Sequence, residues 1–570
     1  MTSLSPIPAL EGVIAYRVPG HPASMDLMLD SNEGRAPHAE LLQRVVQAGP
    51  ELVRRYPASA RLQSAISKRF GVDSSQVLVT AGADDGIDRC CRSMLCPGRE
   101  IVMPLPTFEM LPRYAGLTGA TVRTVPWSDG PYPVEAVLRE VNERTRMISV
   151  ISPNNPTGEV ATAADLRRLS DAASHALIVL DLAYGEFADE DLTPTALSLP
   201  NAVVLRTLSK AWGMAGLRVG YVLGPSHVLG WLRALGQPYA VSGPSLLMAS
   251  IRMEEGEADS QAYVRRVRDE RRELSALLSE LGARPTPSQG NFVFARTPRA
   301  RWIREGLAGL GISVRAWPGH PELDGCVRIT CPGDEQALAR LRAALRATLV
   351  PQALLFDMDG PLADVSGSYR QAVIETAGRW GVTVTAEDIA AAKARGNANN
   401  DGVLTRELLR ERGVDVSLEE VTGRFERIYQ GTQELPGLWT RETLVPSRAL
   451  LERLAARLPL AVVTGRPRQD ATRFLRKQGV EGLFRVVVCT EDGRLKPDPA
   501  PVRRALELLG VRSAWMIGDK PDDMGAARAA GVVPLGVSSP GETPERADGL
   551  RQAGAARVLA RLDLLEEMLP

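Results

Sequence analysis

The sequence predicts an α/β protein made of two successive regions, each with a mostly parallel sheet covered by helices. Three observations carry this. Short apolar, β-rich runs alternate with amphipathic helical stretches, a second set of such runs opens after Pro351, and 570 residues exceed what one core supports. In the first region the runs are QVLVTAG (76–82), EIVMPLP (100–106), MISVISP (147–153), ALIVLD (176–181) and AVVLRTLSK (202–210). Continuous apolar strands of this kind are buried on both faces, as in a doubly wound parallel sheet. From about 262 the texture shifts to a long charged helix, YVRRVRDERRELSALLSELG, then to NFVFA and CVRIT, the pattern of a smaller α+β lobe. The helical stretch 334–349 must stop near Pro351, because proline cannot continue a helix and restricts the residue before it. Beyond it come ALLFDMD (353–359), LPLAVVTG (458–465), RVVVCT (485–490) and AWMIGD (514–519), with a polar helical insert between the first two. The expected domains are therefore 1–350 and 351–570. The first divides into a large domain over about 40–260 and a small one from 1–39 and 261–350. The second divides into a core of 351–364 and 451–570 and an insert of 365–450.

Composition narrows the function. Lys+Arg and Asp+Glu each number 68, so the chain lacks the basic surplus of a nucleic-acid binder. Mean hydropathy is −0.09, and no apolar run approaches the roughly 20 residues a bilayer crossing requires. The start, MTSLSPIPALEGVIAYRVPG, has neither a basic n-region nor a long apolar stretch. Cys90, Cys91, Cys96, Cys326, Cys331 and Cys489 form no CxxC pair, and six in so long a chain make no disulfide framework. The expectation is a cytoplasmic enzyme of small molecules, with no nucleic-acid or membrane partner.

The segment RTLSKAWGMAGLRVGY (206–221) sets Lys210 at the end of an apolar strand, after Thr207 and Ser209 and eight residues before Arg218. A lysine that condenses with an aldehyde needs a rigid mount and an accessible neutral form, and hydroxyl and guanidinium groups suit a phosphate. A surface lysine at a strand end has the same local pattern. Other segments add to it. ALIVLDLAYGEF places Asp181 at a strand's carboxyl end, where it can pair with a ring nitrogen, and Tyr184 just beyond. SPNNPTG offers Asn155, TAGADDGI opens a helix with free amides, and PTFEM offers Phe108 for stacking.

In the order RYP (55–57), GADDG, PTF, NNPTG, DLAY, TLSK…R, NF and VRIT, residues 1–350 resemble the fold-type I pyridoxal-phosphate aminotransferases, most nearly the histidinol-phosphate aminotransferase branch. The resemblance implies pyridoxal 5′-phosphate carried by Lys210, which also shuttles the proton of transamination. It implies Asp181 at the pyridine nitrogen, Tyr184 and Asn155 at the ring oxygen, Phe108 on the ring face, and Ala83, Asp84, Thr207, Ser209 and Arg218 around the phosphate. Tyr56 is expected to reach the neighbouring subunit's cofactor, hence a homodimer. Arg328 is expected to clamp the donor carboxylate, with Asn291 and Arg315 also at the substrate. The family's usual SNENP is SNEG (31–34) here, its usual stacking Tyr is Phe108, and DEAY is DLAY, departures that bear on the acceptor substrate.

In the second region, LLFDMDGPLAD (354–364) ends a buried strand in Asp357 and Asp359, on one side by the strand period. Buried carboxylates need neutralising, and hard Mg²⁺ prefers oxygen ligands; an isolated DxD is also common in solvated turns. Thr464 ends LAVVTG, Lys496 lies in RLKPDP, and Asp519 and Asp523 lie in MIGDKPDDMG. Together these resemble the haloacid dehalogenase superfamily, and the insert resembles the helical cap of its phosphoglycolate-phosphatase-like subfamily over a Rossmann-like core. The resemblance implies Asp357 as nucleophile, Asp359 as general acid then base, Thr464 and Lys496 at the phosphoryl group, and Mg²⁺ held by Asp357, the carbonyl of Asp359 and Asp519, with Asp523 in the second rank. The cap loop KARGNANNDG (393–402) offers Arg395, Asn399, Asn400 and Asp401 to a leaving group, or is a solvated interhelical loop.

The leading expectation is a bifunctional enzyme working consecutively. The front half aminates a phosphorylated ketone such as imidazole-acetol phosphate with glutamate, and the back half removes phosphate from the product. The alternatives are a threonine-phosphate decarboxylase-like or specialised-metabolism aminotransferase beside an unrelated phosphatase, or one catalytically silent half. The retained motifs of both halves argue against silence.

Overall fold

Runs of Val, Ile and Leu at strand spacing drive sheet formation, and the helices between them return the chain to the sheet's starting edge. The structure is a computed structural model that describes residues 4–15, 20–394, 401–538 and 544–570. Strand β1 (Leu27–Leu29) is followed by β2 (Val77–Thr80), β3 (Glu100–Leu105), β4 (Thr121–Pro126), β5 (Thr145–Ile151), β6 (Leu177–Asp181), β7 (Ala202–Thr207) and β8 (Gly220–Leu223). The last seven form one sheet in the order β2-β8-β7-β6-β5-β3-β4. Strands β3 to β7 are parallel; β8 runs antiparallel to both β7 and β2. Every residue of β6 and β7 is buried, as expected of central strands covered on both faces. The helix Gly82–Met94 packs Ile87, Cys90 and Cys91 into the same core as Ile101, Met147, Val179 and Leu205. Because the strands are parallel, Leu105, Ile151, Asp181 and Thr207 finish at one sheet edge, and the loops beyond them build the first site.

A smaller sheet combines β1 with β9 (Arg284–Pro285), β10 (Phe292–Arg296), β11 (Ile312–Ala316) and β12 (Cys326–Thr330), in the order β1-β11-β12-β10-β9. The helix Glu257–Glu280 packs on β9 and β10. Strands β11 and β12 are antiparallel with Arg315 directly opposite Arg328.

The second region begins with β13 (Leu354–Phe356), β14 (Ala363–Asp364) and β15 (Thr443–Leu444), followed by β16 (Leu460–Val463), β17 (Phe484–Val488), β18 (Trp515–Gly518), β19 (Val533–Val537) and β20 (Arg557–Leu559). Six of these form an all-parallel sheet, β17-β16-β13-β18-β19-β20. The strand order reverses at β13: β16 and β17 add on one side, β18 to β20 on the other. Such a switch opens a crevice at the carboxyl ends of the strands. The helical insert leaves through β14 and returns through β15, which pair as a two-stranded ladder at its base.

Close contacts group the described residues into two units that do not part at a single point. Leu29–Arg301 and Val314–Ala339 belong to one, whereas Trp302–Ser313 and Arg340–Pro570 belong to the other. Within the second unit, Trp302 and Trp515 meet edge to face at 5.1 Å, and their indole nitrogens donate to the carbonyls of Thr348 and Ala347. Burying two such rings and satisfying both donors ties these segments together. No described helix is long and apolar enough to cross a membrane.

Two candidate active sites

The loops at the carboxyl edge of the first sheet enclose a cavity of about 710 Å³. Ala83, Asp84, Phe108, Asn155, Asp181, Tyr184, Thr207, Ser209, Lys210, Arg218, Arg315 and Arg328 all line it. Lys210 Nζ donates to the carbonyl of Ser31 at 3.0 Å and lies 5.8 Å from the centre of the Tyr184 ring. Asp181 is buried and accepts one hydrogen bond, from the amide of Ala183 at 2.8 Å. Burial pushes its carboxyl up to about 7, against which that amide and Lys210 act. A carboxyl so placed calls for a cationic N–H partner. The hydroxyls of Thr207 and Ser209 bond one another at 2.9 Å, and Arg218, in the left-handed region (φ 53°), donates to Asp84 at 3.0 Å. Gly82, at φ 82°, opens the helix whose first turn carries Ala83 and Asp84; a Cβ there would come within 2.8 Å of Arg218. Hydroxyls, a guanidinium and a helix N-terminus at one end, with an underpartnered carboxylate at the other, fit pyridoxal phosphate.

Arg328 is buried, donates to Asn155 Oδ1 and the carbonyl of Asp30, and lies over Phe292 and Trp317 at 5.4 and 5.9 Å. Its Nε has no hydrogen-bond partner. Burial and the charge of Arg315 lower its proton affinity. Arg315 keeps a looser contact with Glu109, 3.5 Å away.

Two predicted residues stand off this cavity. Asn291 is fully buried and is not part of the cavity lining; its Nδ2 donates to the carbonyl of Asn32 at 3.1 Å. Tyr56 is 81% exposed and stacks on Tyr239 at 4.5 Å, away from its own chain's cavity. Asn32, missed from sequence, is buried at φ 55°; its Nδ2 donates to the Tyr184 hydroxyl at 3.0 Å and its Oδ1 accepts from Thr330. The SNEG departure has a steric reading. A Cβ on Gly34 would lie 1.8 Å from the Lys210 carbonyl, so this segment presses backbone against the lysine's own turn.

At the crevice of the second sheet, the side chains of Asp357, Asp519 and Asp523 bring carboxylate oxygens within 4.8 Å of one another, all three buried. Lys496 Nζ lies 2.7 Å from Asp357, 2.5 Å from Asp523 and 3.0 Å from the Val463 carbonyl. Burial works to lower the affinity of Lys496 for its proton, but Asp357 and Asp523 outweigh it and the net direction is up. The Asp357 carboxyl is likewise raised, by burial first and by Asp523 second. Its Oδ2 accepts no hydrogen bond, and Lys520 Nζ lies 3.9 Å from it. Three buried acids, met by Lys496 and, at Asp519, by Arg546, with Asp357 Oδ2 left without a donor, fit a hard divalent cation such as Mg²⁺. Thr464 is buried beside them and accepts from the Arg466 amide at 3.1 Å.

The Asp359 carboxylate lies outside the acidic cluster and accepts from Arg466 Nε at 2.6 Å, which leaves its carbonyl as the group expected at the cation. Arg466, Glu442, Lys520 and Arg546, the last 3.0 Å from Asp519, were also missed. Of the cap-loop residues, Arg395, Asn399 and Asn400 lie outside the described residues, and Asp401 opens the helix Asp401–Glu411.

Comparison with known proteins agrees with this geometry. Residues 25–345 match the family model for class I and II aminotransferases. The chain belongs to that family. Residues 351–531 match haloacid dehalogenase-like hydrolases, so an aminotransferase is fused to a hydrolase domain. Histidinol-phosphate aminotransferase of Staphylococcus aureus is 34% identical over 317 residues, 54% of this chain and 87% of that protein. An imidazoleglycerol-phosphate dehydratase of Phytophthora nicotianae is 49% identical over 197 residues, 33% of this chain and 44% of that protein, so this chain spans less than half of it. Among solved structures, histidinol-phosphate aminotransferase of Sinorhizobium meliloti, in complex with pyridoxal-5′-phosphate, superposes with a TM-score of 0.55 at 22% identity, over 61% of this chain and 98% of that one. This last likeness is one of fold. The aminotransferase family carries pyridoxal phosphate and the hydrolase family uses Mg²⁺.

Proposed function

We propose that the aminotransferase half moves an amino group from glutamate to a phosphorylated ketone, with imidazole-acetol phosphate as the acceptor. The hydrolase half then removes phosphate from the amino alcohol phosphate so formed, histidinol phosphate. The observation that carries the reading is the pair Arg315 and Arg328, directly opposite on adjacent strands and both facing the cavity. Like charges across a ladder are unfavourable unless an anion sits between or beside them. A transaminase that alternates between a dicarboxylic donor and a phosphorylated acceptor meets that demand in both half-reactions. The relatives that carry histidine-pathway names support the choice of acceptor.

In this reading pyridoxal phosphate, when bound, supplies the electron sink. Asp181 holds a proton-bearing ring nitrogen, Tyr184 and Asn155 orient the ring oxygen, and Thr207, Ser209, Arg218 and the amides of Ala83 and Asp84 hold the phosphate. Lys210 Nζ carries the proton between the two carbons exchanged in transamination. Arg328 clamps the donor carboxylate and Arg315 the acceptor phosphate. In the second site Asp357 attacks phosphorus, Lys496 and Thr464 neutralise and orient the phosphoryl oxygens, and Asp359 protonates the departing alkoxide before taking a proton from the attacking water. Mg²⁺ held by Asp357, Asp519 and Asp523 adds charge neutralisation. We place the chain in the cytoplasm, as a homodimer through a face that includes Tyr56 and the exposed Leu42, Val46 and Val53.

The test is a panel of keto acceptors offered with glutamate, each followed by phosphate release and by carbon dioxide. Imidazole-acetol phosphate should be the best acceptor and should alone give coupled phosphate release. Carbon dioxide from threonine phosphate would overturn the transaminase assignment.

A further inference from the structure

The second site contains a buried cation that the proposed chemistry does not use. Arg466 is 2% exposed and bridges two carboxylates: its Nε donates to Asp359 at 2.6 Å and its Nη1 to Glu442 at 2.9 Å. Asp359 is the residue assigned to acid–base work, whereas Glu442 lies at the returning end of the helical insert, next to β15. Glu442 is itself fixed, accepting from Ser368 Oγ at 2.8 Å and from the Tyr429 hydroxyl at 3.1 Å, both within the insert. The guanidinium lies over the Tyr369 ring at 4.8 Å and near Phe474 at 5.5 Å. Its own amide is bonded to Thr464, at the strand end that faces the acidic cluster.

We infer that Arg466 is a positioning residue: it aims the Asp359 carboxylate at the departing oxygen and joins that aim to the seating of the helical insert through Glu442. The inference rests on the phosphatase reading of this site. Three physical points support it. A planar guanidinium holds two carboxylates at fixed angles, which a lysine cannot do. Burying an arginine between two acids is a poor source of net stability, since desolvation offsets most of the attraction, so its geometry is the part with a use. The contact also engages the Asp359 carboxylate outside the group that Asp357, Asp519 and Asp523 form.

A residue that positions a proton donor matters in proportion to how badly the leaving group needs a proton. The experiment therefore measures kcat/KM of the full-length protein with Mg²⁺ on a series of substituted phenyl phosphates of similar shape, from p-nitrophenyl phosphate, which departs unaided, to phenyl phosphate. In Arg466→Lys, p-nitrophenyl phosphate should stay within about threefold of wild type while phenyl phosphate falls by about tenfold or more, part of the roughly 10²–10⁴ that acid–base catalysis supplies. Glu442→Gln should tilt the series the same way by a smaller factor. A parallel fall across the series in either variant would overturn the proposal, because loss of fold or of the cation site does not discriminate among leaving groups. Should Arg466→Lys fail to fold, Glu442→Gln decides alone. Wild-type protein inert toward every ester would instead sink the phosphatase reading, and the two failures are distinct.

Discussion

Asp181→Asn tests the electrostatics of the first site without reference to turnover. In the cofactor-free chain the Asp181 carboxyl sits at about 7, against an ordinary 3.8, because burial disfavours its charge. The folded value lies above the unfolded one, so between about pH 4 and 7 the folded chain binds more protons, and stability falls as pH rises through that window. The distance from 3.8 to about 7, at about 1.4 kcal/mol per pH unit, amounts to a cost on the order of 4 kcal/mol above pH 7. Asparagine has no charge to desolvate and keeps an oxygen for the Ala183 amide. It should therefore stabilise the cofactor-free protein at pH 8 by up to about 4 kcal/mol, with a smaller gain at pH 5. With pyridoxal phosphate bound the sign reverses, since the variant loses the carboxylate that pairs with the ring nitrogen. Scanning calorimetry at both pH values, with and without cofactor, measures this; the transition that moves on cofactor loading identifies the unit containing Asp181. A variant no more stable than wild type at pH 8 without cofactor, or one gaining equally at pH 5 and pH 8, would refute the argument.

Other perturbations separate the two halves. Lys210→Ala should remove the visible absorbance of the loaded protein and glutamate-dependent transamination while leaving phosphate release unchanged; surviving transamination would end that assignment. Asp357→Asn should do the reverse, and a chelator should abolish phosphate release while sparing amino transfer. Arg328→Lys keeps the charge but loses the fork, so kcat/KM for glutamate should fall about 10- to 150-fold, the value of one charge-assisted hydrogen bond of about 1.5–3 kcal/mol. Arg315→Gln should instead raise KM for the phosphorylated substrate and leave glutamate nearly unaffected; equal losses on both substrates would contradict the division of labour between the two arginines.

Five of the residues read from the sequence share one physical property: they sit at the ends of continuous apolar strands. Asp181, Thr207, Asp357, Thr464 and Asp519 each lie at or one residue past such an end, and a parallel sheet brings those ends to one edge whatever the intervening loops do. Asn32 and Arg466 were missed for a different reason. Asn32 reaches Tyr184 from 152 residues away, through a turn at positive φ that no periodicity announces. Arg466 stood in plain view two residues after Thr464, but its meaning depends on Glu442, 24 residues earlier at the returning end of the insert. Strand alternation places Asp359 on the same side as Asp357, but where its carboxylate turns is set by Arg466, from the loop after β16.

That contrast bears on how the two catalytic centres divide their work. The strand-end residues make the chemistry generic: a lysine with an acid, or a nucleophilic aspartate with a lysine and a cation, serves many substrates on the same scaffold. In the proposed function, the side chains that arrive from elsewhere are assigned to the substrates. Arg315 and Arg328 come from the small sheet and present two cations to one cavity. Glu442 comes from the insert and is joined to Asp359 through Arg466. The proposed function thus places specificity on charged groups that already hold carboxylates or carbonyls, as Arg328 does with Asn155 and Asp30 and Arg466 with Asp359 and Glu442. Exchanging a neutral acceptor for an anion at Arg328 strengthens its bonds, because a charge-assisted hydrogen bond is about twice as strong as a neutral one. Substrate entry is thereby favoured at the residue that would read it.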